Sequence, residues 1–514
     1  MKTSSLLWIP VLTSLTGSAC VEAKKEKVQK PNVLLIYADD IGYGDLSCNG
    51  GQAIKTPNVE KLASEGIRFT NVHCGAATST PSRYAMLTGE YAWRKKGTGI
   101  AAGDAAMIIT PERYTIADMF KEAGYETGVI GKWHLGLGSK TGKQDWNGFI
   151  TPNPSDIGFD YSYIMAATAD RVPCMWVENG RAIGLSPDDP VSVSYKKNFP
   201  GEPTGKDNPE LLRVHPSHGH NMSIVNGISR IGYMKGGKSA LWRDQDIQDS
   251  IIAHAVRFLE TKAESEQPFF LYLATNDIHV PRDPHERFVG KSGHGPRGDA
   301  LLSFDWGVGE VMSALQRLGL DENTIVILSS DNGPVVDDGY KDNAVELLGE
   351  HKPAGVYRGG KYSNYEAGTR VPCLVRWKSH IVPGVSDNLM SQLDWFSSFA
   401  DMLKVTVPVN VAPDSENHLD AWLDVAGKGR SFVVTQNVQN NLGITDGEWK
   451  YIPAGDGPAI NKQTNTELAN SQENQLYRLT DDVSEQTNLY EEKKEIAEKL
   501  EQELVRIVGD KYGL

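Results

Sequence analysis

The chain alternates short runs of apolar residues with longer stretches in which apolar positions recur every three or four residues. Val33-Leu34-Leu35-Ile36-Tyr37, entered through Pro31-Asn32, is apolar without a break and predicts a strand buried on both faces. Tyr125 to Gly131, Pro268 to Leu273 and Thr324 to Ser329 predict three more. Helical patterns fall among these strands: one opened by Thr56-Pro57 and carrying Leu62 and Ile67, one from Ile251 to Leu259, one from Val308 to Leu318. Strands alternating with helices predict an α/β fold, a large, mostly parallel sheet sandwiched by helices. In such folds the working residues gather at the carboxyl ends of the strands. After Val405 the pattern changes. Pro408 and Pro413 mark a boundary, Phe432-Val433-Val434 and Trp449 to Ile452 predict short strands, and a closing helix sets Ile496, Leu500, Leu504 and Ile507 on one face before Gly509. The expected organisation is a main domain over 31–405 and a smaller C-terminal α+β subdomain over 406–514, built of antiparallel strands and a helix.

The N-terminus adds an address. Lys2 precedes an apolar stretch from Leu6 to Leu15, and Gly17-Ser18-Ala19 leads to Cys20. The stretch is too short to span a bilayer and predicts a signal peptide over 1–20, followed by a charged tether over 21–30. Cys20 after small residues resembles a bacterial lipoprotein cleavage site, which implies lipid on that cysteine and membrane anchoring through it. Gly17 stands where such sites usually carry Leu, so plain cleavage stays open. The expected location is the periplasm, or the outer membrane or cell surface as a lipoprotein. A formal net charge of -14 argues against nucleic acid as a partner, and any anion-binding function must concentrate positive charge locally. Cys48, Cys74, Cys174 and Cys373 allow three full pairings or free thiols, and no Cys-x-x-Cys occurs.

Two of the predicted strands end in acidic pairs, Asp39-Asp40 and Asp331-Asn332. Either alone is ordinary turn chemistry. Together they offer three carboxylates and an amide oxygen, an all-oxygen set suited to a hard cation such as Ca²⁺ or Mg²⁺. In Ser79-Thr80-Pro81-Ser82-Arg83-Tyr84-Ala85-Met86-Leu87-Thr88-Gly89 a small hydroxyl residue stands two before a proline and an arginine two after it. This string resembles the signature of the type I, formylglycine-dependent sulfatases of the alkaline phosphatase superfamily. Gly131-Lys132-Trp133-His134-Leu135-Gly136 matches that family's "GKWHLG". Asn276-Asp277-Ile278-His279-Val280-Pro281 resembles its "PHxP" region, with Ile278 replacing the usual proline. Arg358-Gly359-Gly360-Lys361 and Tyr365 to Pro372 resemble "RGGK…YEGGxRVP", and Gln475 to Leu479 with Asn488-Leu489 resembles the family's C-terminal end.

The resemblance implies hydrolysis of a sulfate ester. It implies one Ca²⁺ per chain on Asp39, Asp40, Asp331 and Asn332, and formylglycine made from Ser79 by a sulfatase-maturing enzyme, its hydrate attacking sulfur. Lys132 and Lys361 would hold the sulfate oxygens. His279, with help from Lys361, would protonate the departing sugar oxygen, His134 would serve as base, and Arg83 would pair with the diol or the metal ligands. Serine at the signature position is similar to the exported carbohydrate sulfatases of gut anaerobes, which implies a sulfated glycan as substrate, with sulfated galactose or N-acetylgalactosamine preferred. An insert from about 156 to 242 carries Asp170, Arg171, Trp176, His215, His218 and His220. Asp170 and Arg171 are expected to contact sugar hydroxyls. The three histidines allow a second metal, although a polar loop is the simpler reading. His254, inside an apolar helix, reads as structural. Other readings stay open: a serine substituted for a native cysteine, a phosphatase or phosphonate monoester hydrolase using unmodified Ser79, and a catalytically dead glycan-binding protein. Asn332 counts against the phosphatase, because related zinc phosphatases carry His at that place.

Overall fold

A run without polar positions has no face to turn to water, and the central strands are enclosed accordingly. The computed structural model describes residues 30–509. Asn32–Ala38, Phe269–Ala274 and Thr324–Ser330 are buried at every position, so the sheet they form is covered on both faces. Asn32–Ala38 lies between the other two and parallel to both. On one side the sheet continues in parallel through Glu126–Lys132 and Tyr161–Met165. On the other it turns antiparallel, through Arg370–Trp377 and then Ile67–His73. Eleven strands make up this mixed sheet. The register pairs Ala38 with Ser330. The two acidic strand ends therefore emerge side by side, and the Asp331 N–H donates to the Ala38 carbonyl at 3.1 Å.

The expected helices are present and longer than their apolar patterns, at Ile247–Ala263 and Gly295–Arg317. One expectation fails. The helix from Pro57 ends at Ser64, and Ile67 opens the strand Ile67–His73 instead of completing the helix face. Gly66 makes that turn: a Cβ there would stand 2.4 Å from the Val375 carbonyl oxygen of the neighbouring strand. Helix Ser79–Thr88 closes on Gly89 at φ 62°, a left-handed C-cap. His254 stacks on Tyr163 at 3.5 Å between ring centroids, in keeping with a structural role. Trp176 also stacks on Tyr163, at 4.6 Å, and is buried, so it offers no face to a sugar. Cys48, Cys74, Cys174 and Cys373 are all free thiols. No described helix is long and apolar enough to cross a membrane. The expected signal peptide, Cys20 and the tether short of Lys30 lie outside the described residues.

The C-terminal part has its own four-stranded antiparallel sheet, Val433–Gln436, Leu442–Thr445, Trp449–Ile452 and Gln475–Arg478. The closing helix Lys494–Val508 buries Ala497, Leu500, Leu504 and Val508, while Ile496 and Ile507 are only partly covered. From Pro31 onward the chain is one compact unit, and charge helps to join its parts. Lys450 of the small sheet donates to Glu366 at 2.9 Å, both fully buried. His73, at the end of a strand of the large sheet, holds Nε2 3.8 Å from the same carboxylate. Burial pushes this imidazole down to about 4. Below about pH 6.5 the unfolded imidazole binds a proton that the folded one refuses until about pH 4, so stability is lost as pH falls across that interval. The stability of the parent relative to His73→Gln should fall by on the order of 3 kcal/mol between pH 7 and pH 4 in urea unfolding. A difference that stayed flat with pH would mean that His73 ionises alike in both states.

Candidate active site

Three strand ends and one helix N-terminus converge. Asp39-Asp40 and Asp331-Asn332 leave neighbouring strands, Lys132 is the last residue of Glu126–Lys132, and Ser79 is the first residue of its helix. A helix N-terminus favours negative charge, and Ser79 Oγ is placed where that preference acts. Lys132 Nζ donates to Ser79 Oγ at 2.9 Å and to both Asp39 oxygens at 2.7 and 2.6 Å. Ser79 Oγ lies 3.4 Å from Asp39 Oδ1 and 3.3 Å from Asn332 Oδ1. Arg83, one turn along the helix, donates to Asp331 Oδ2 through Nε at 3.1 Å and through its terminal nitrogen at 2.8 Å. Lys361 Nζ donates to Asp40 and to Asp338, each at 2.8 Å. His279 Nδ1 donates to the Val280 carbonyl at 2.7 Å, which leaves Nε2 facing Asp40 Oδ2 at 3.9 Å. His134 Nε2 donates to the Ala101 carbonyl at 3.0 Å, and its buried Nδ1 has no partner. Asp40 and His134 hold left-handed backbone, φ 60° and 54°, a conformation that concentrates at functional sites.

Burial disfavours both charges of the Asp39–Lys132 pair. It raises the Asp39 carboxyl well above its ordinary value, with Asp331 and Asp40 adding to the rise and Lys132 opposing it. It lowers the Lys132 ammonium against the pull of Asp39. For Asp331 burial is outweighed by Arg83 and Lys132, and the carboxyl is held low. For Lys361 burial is outweighed by Asp338 and Asp40, and the ammonium is held high. Burial takes His134 well below its ordinary value and His279 to about 4, with Lys132 and Lys361 adding to the respective falls.

The donor set fits a hard divalent cation. The Asn332 amide donates to Asp40 and to the Gly333 carbonyl, at 2.8 and 2.9 Å, so its Oδ1 faces Ser79 and the carboxylates. Three buried carboxylates with an inward amide oxygen make an oxygen shell of the calcium kind. Among the described residues, ligand atoms of Asp39, Asp40 and His279 lie within 4.8 Å of one another. Asp331 is not in that trio, and its Oδ2 accepts two bonds from Arg83. An oxygen set with Asp331 and Asn332 suits calcium better than one completed by an imidazole.

A family model described as Sulfatase matches residues 31–405. The chain belongs to the sulfatase family. It is a sulfuric ester hydrolase of the alkaline phosphatase superfamily, with the fold and kinship that the signature string implies. This sulfatase is 51% identical over 498 residues to an N-acetylgalactosamine-6-O-sulfatase of Bacteroides thetaiotaomicron, covering 95% of this chain and 97% of the relative. It is 31% identical to human arylsulfatase A over 388 residues, 75% of this chain and 66% of that one. A solved Bacteroides thetaiotaomicron sulfatase, from a core genetic locus that orchestrates the metabolism of multiple glycosaminoglycans, superposes with a TM-score of 0.91. It is 52% identical, and the match covers 93% of this chain and 99% of that one.

The structure of the sulfatase brings together all ten residues singled out for metal and chemistry. Asp170 and Arg171 join them: a pocket of about 50 Å³ is lined by both and by Ser79, His134, His279 and Lys361. Arg171 donates to both Asp170 oxygens at 2.9 Å. Asp338 and Tyr362 also line the pocket and were missed by sequence reasoning, and so does His220, which that reasoning assigned to a polar loop or a second metal. His220 Nε2 bonds Asp170 at 2.8 Å, and the Tyr362 hydroxyl donates to Asp338 at 2.9 Å. A signal existed for Asp338, since Asp337-Asp338-Gly339 follows the second acidic strand end by a few residues. Among the described residues the three histidines of the insert form no metal-holding group: His215 is exposed, and His218 and His220, 6.2 Å apart between ring centroids, bond Ser217 and Asp170.

Proposed function

We propose that this sulfatase removes the 6-O-sulfate of N-acetylgalactosamine, or of galactose, in a sulfated glycan. The observation that carries the reading is the narrow pocket beside Ser79. One water needs roughly 10–15 Å³ of such space, so about 50 Å³ has room for a sulfate group. The 51% identical N-acetylgalactosamine-6-O-sulfatase supports the choice of sugar and position.

Calcium held by Asp39, Asp40, Asp331 and Asn332 would offset charge on the sulfate oxygens, and formylglycine made from Ser79 would supply the attacking oxygen. Lys132 and Lys361 bind sulfate oxygens in this reading, and Arg83 holds Asp331 in place. His134 keeps a bare Nδ1 because Nε2 is committed to Ala101, which suits it to accept a proton. His279 Nε2 carries a proton to the sugar oxygen once a bound anion offsets Lys361, the charge that helps to hold it neutral. Asp170, Arg171 and His220 receive the sugar hydroxyls. The N-terminal segment supports export to the periplasm or cell surface, with lipid on Cys20; the intact mass of the mature N-terminus in the native host tests this directly.

The deciding assay is sulfate release by protein co-expressed with a serine-type maturing enzyme. Its panel is 6-O-sulfated N-acetylgalactosamine and galactose, 4-O-sulfated N-acetylgalactosamine, 6-O-sulfated N-acetylglucosamine and a phosphate monoester. Release confined to the first two is expected, and release from the 4-O-sulfate or the phosphate instead would overturn the reading. Hydrogen bonds to charged groups contribute about 1.5–3 kcal/mol. Arg171→Gln should therefore lower kcat/KM on the 6-O-sulfated sugar by roughly 10- to 150-fold, mainly through KM. An unchanged KM would remove Arg171 from the sugar site.

A further inference from the structure

Asp45 is fully buried six residues after Asp39, yet it does not line the Ser79 pocket. Arg297 grips it with both terminal nitrogens, at 2.7 Å to Oδ1 and 2.9 Å to Oδ2. The Gly42 N–H adds a bond to Oδ2 at 2.8 Å, and His351 Nε2 one to Oδ1 at 2.7 Å. The remaining guanidinium donor, Nε, reaches the Val335 carbonyl at 3.2 Å. One planar group thus touches both metal-bearing loops, the one that continues from Asp39-Asp40 and the one that continues from Asp331-Asn332. The loop that carries His351 joins them, since its Pro353 carbonyl accepts the Gly44 N–H at 2.8 Å.

A buried ion pair is weak evidence for stability, because well-packed apolar residues of the same volume often serve as well or better. What apolar residues cannot supply is a fixed angle and distance between two loops. The guanidinium supplies both, since its donors lie in one rigid plane. Groups that orient metal ligands from behind typically govern affinity by 10- to 100-fold.

We propose that Arg297, seated on Asp45 and braced by His351, is a positioning residue that sets the spacing of the two metal-bearing loops and thereby the affinity for calcium. The inference rests on the calcium site proposed above. Lysine at 297 keeps a charge for Asp45 and loses the fork that also holds Val335.

The test is calorimetric titration of calcium into chelator-stripped, unmatured protein, with thermal midpoints in EGTA and kcat of matured protein at saturating calcium. Arg376→Lys is the control. Arg376 is equally buried, but it pairs with Asp321 and Glu65, and Asp321 lies at the opposite end of strand Thr324–Ser330 from Asp331. Arg297→Lys should raise the calcium Kd about 10- to 100-fold, keep kcat at saturating calcium near the parent's, and lower the EGTA midpoint no more than the control. His351→Ala, which removes one brace and keeps the fork, should raise Kd less and serves if Arg297→Lys does not fold. A parent that binds calcium beside variants with unchanged Kd and lowered midpoints overturns the proposal and leaves the calcium site standing. A parent that does not bind calcium overturns both.

Discussion

Ser79→Ala should reduce sulfate release by matured protein to the uncatalysed background, a loss on the order of 10⁴- to 10⁶-fold in kcat. The side chain stands at the one point reached by the helix N-terminus, Lys132 Nζ at 2.9 Å and the amide oxygen of Asn332 at 3.3 Å. No other hydroxyl among the pocket residues has that placement: Thr78 precedes the helix, and Tyr362 is tied to Asp338. Stability should hardly change, because Lys132 keeps both Asp39 oxygens and a single neutral hydrogen bond contributes only about 1 kcal/mol. A variant that binds the sulfated sugar, melts with the parent and does not turn over is the expected combination. Unmatured Ser79 protein should behave in the same way. Turnover by Ser79→Ala would remove position 79 from the chemistry, and turnover by unmatured parent would mean that an unmodified hydroxyl suffices.

Much of this site is legible in the sequence because its parts are local. Asp39-Asp40 and Asp331-Asn332 follow apolar runs directly, so the periodicity that announces a strand also says where it ends and what emerges there. The fold class predicts that such ends share one edge of the sheet, and the register that makes these two adjacent is seen only in the structure. What the sequence does not carry is contact between loops. Lys361 meets Asp338 across 23 positions, His220 meets Asp170 across 50, and Arg297 meets Asp45 across 252. Loop conformation decides each of these, and no periodicity encodes it. Ile67 shows the same limit at small scale. The helical pattern opened by Thr56-Pro57 runs toward it, but five residues from Leu62 is no helix-face spacing, and the close approach of Gly66 to Val375 makes it a strand residue. The overall charge also misleads when taken alone. A net charge of -14 coexists with Arg83, Lys132, Arg171 and Lys361 gathered at one place, each paired with a carboxylate.

Lys132→Met should be the other severe substitution, and it should act on folding and on turnover by separate routes. The ammonium is fully buried, pairs with Asp39 at 2.6 Å and stands 3.7 Å from Asp331. Removing one partner of a buried pair leaves the other charge uncompensated, at a cost of about 3–5 kcal/mol. Asp39 already sits well above its ordinary value through burial, so it should take up a proton in the variant and recover part of that loss at low pH. The stability deficit should therefore shrink as pH falls, whereas a simple packing defect would stay constant with pH. Turnover should fall by a further 10²- to 10³-fold, the usual effect of deleting a donor aimed at developing negative charge. Lysine is compact enough to serve Asp39 and the atom at position 79 together, so Lys132→Arg should restore stability better than activity. Urea unfolding at several pH values and single-turnover assays on the two variants measure these effects separately. Activity within tenfold of the parent in Lys132→Met would show that the sulfate oxygens are held elsewhere.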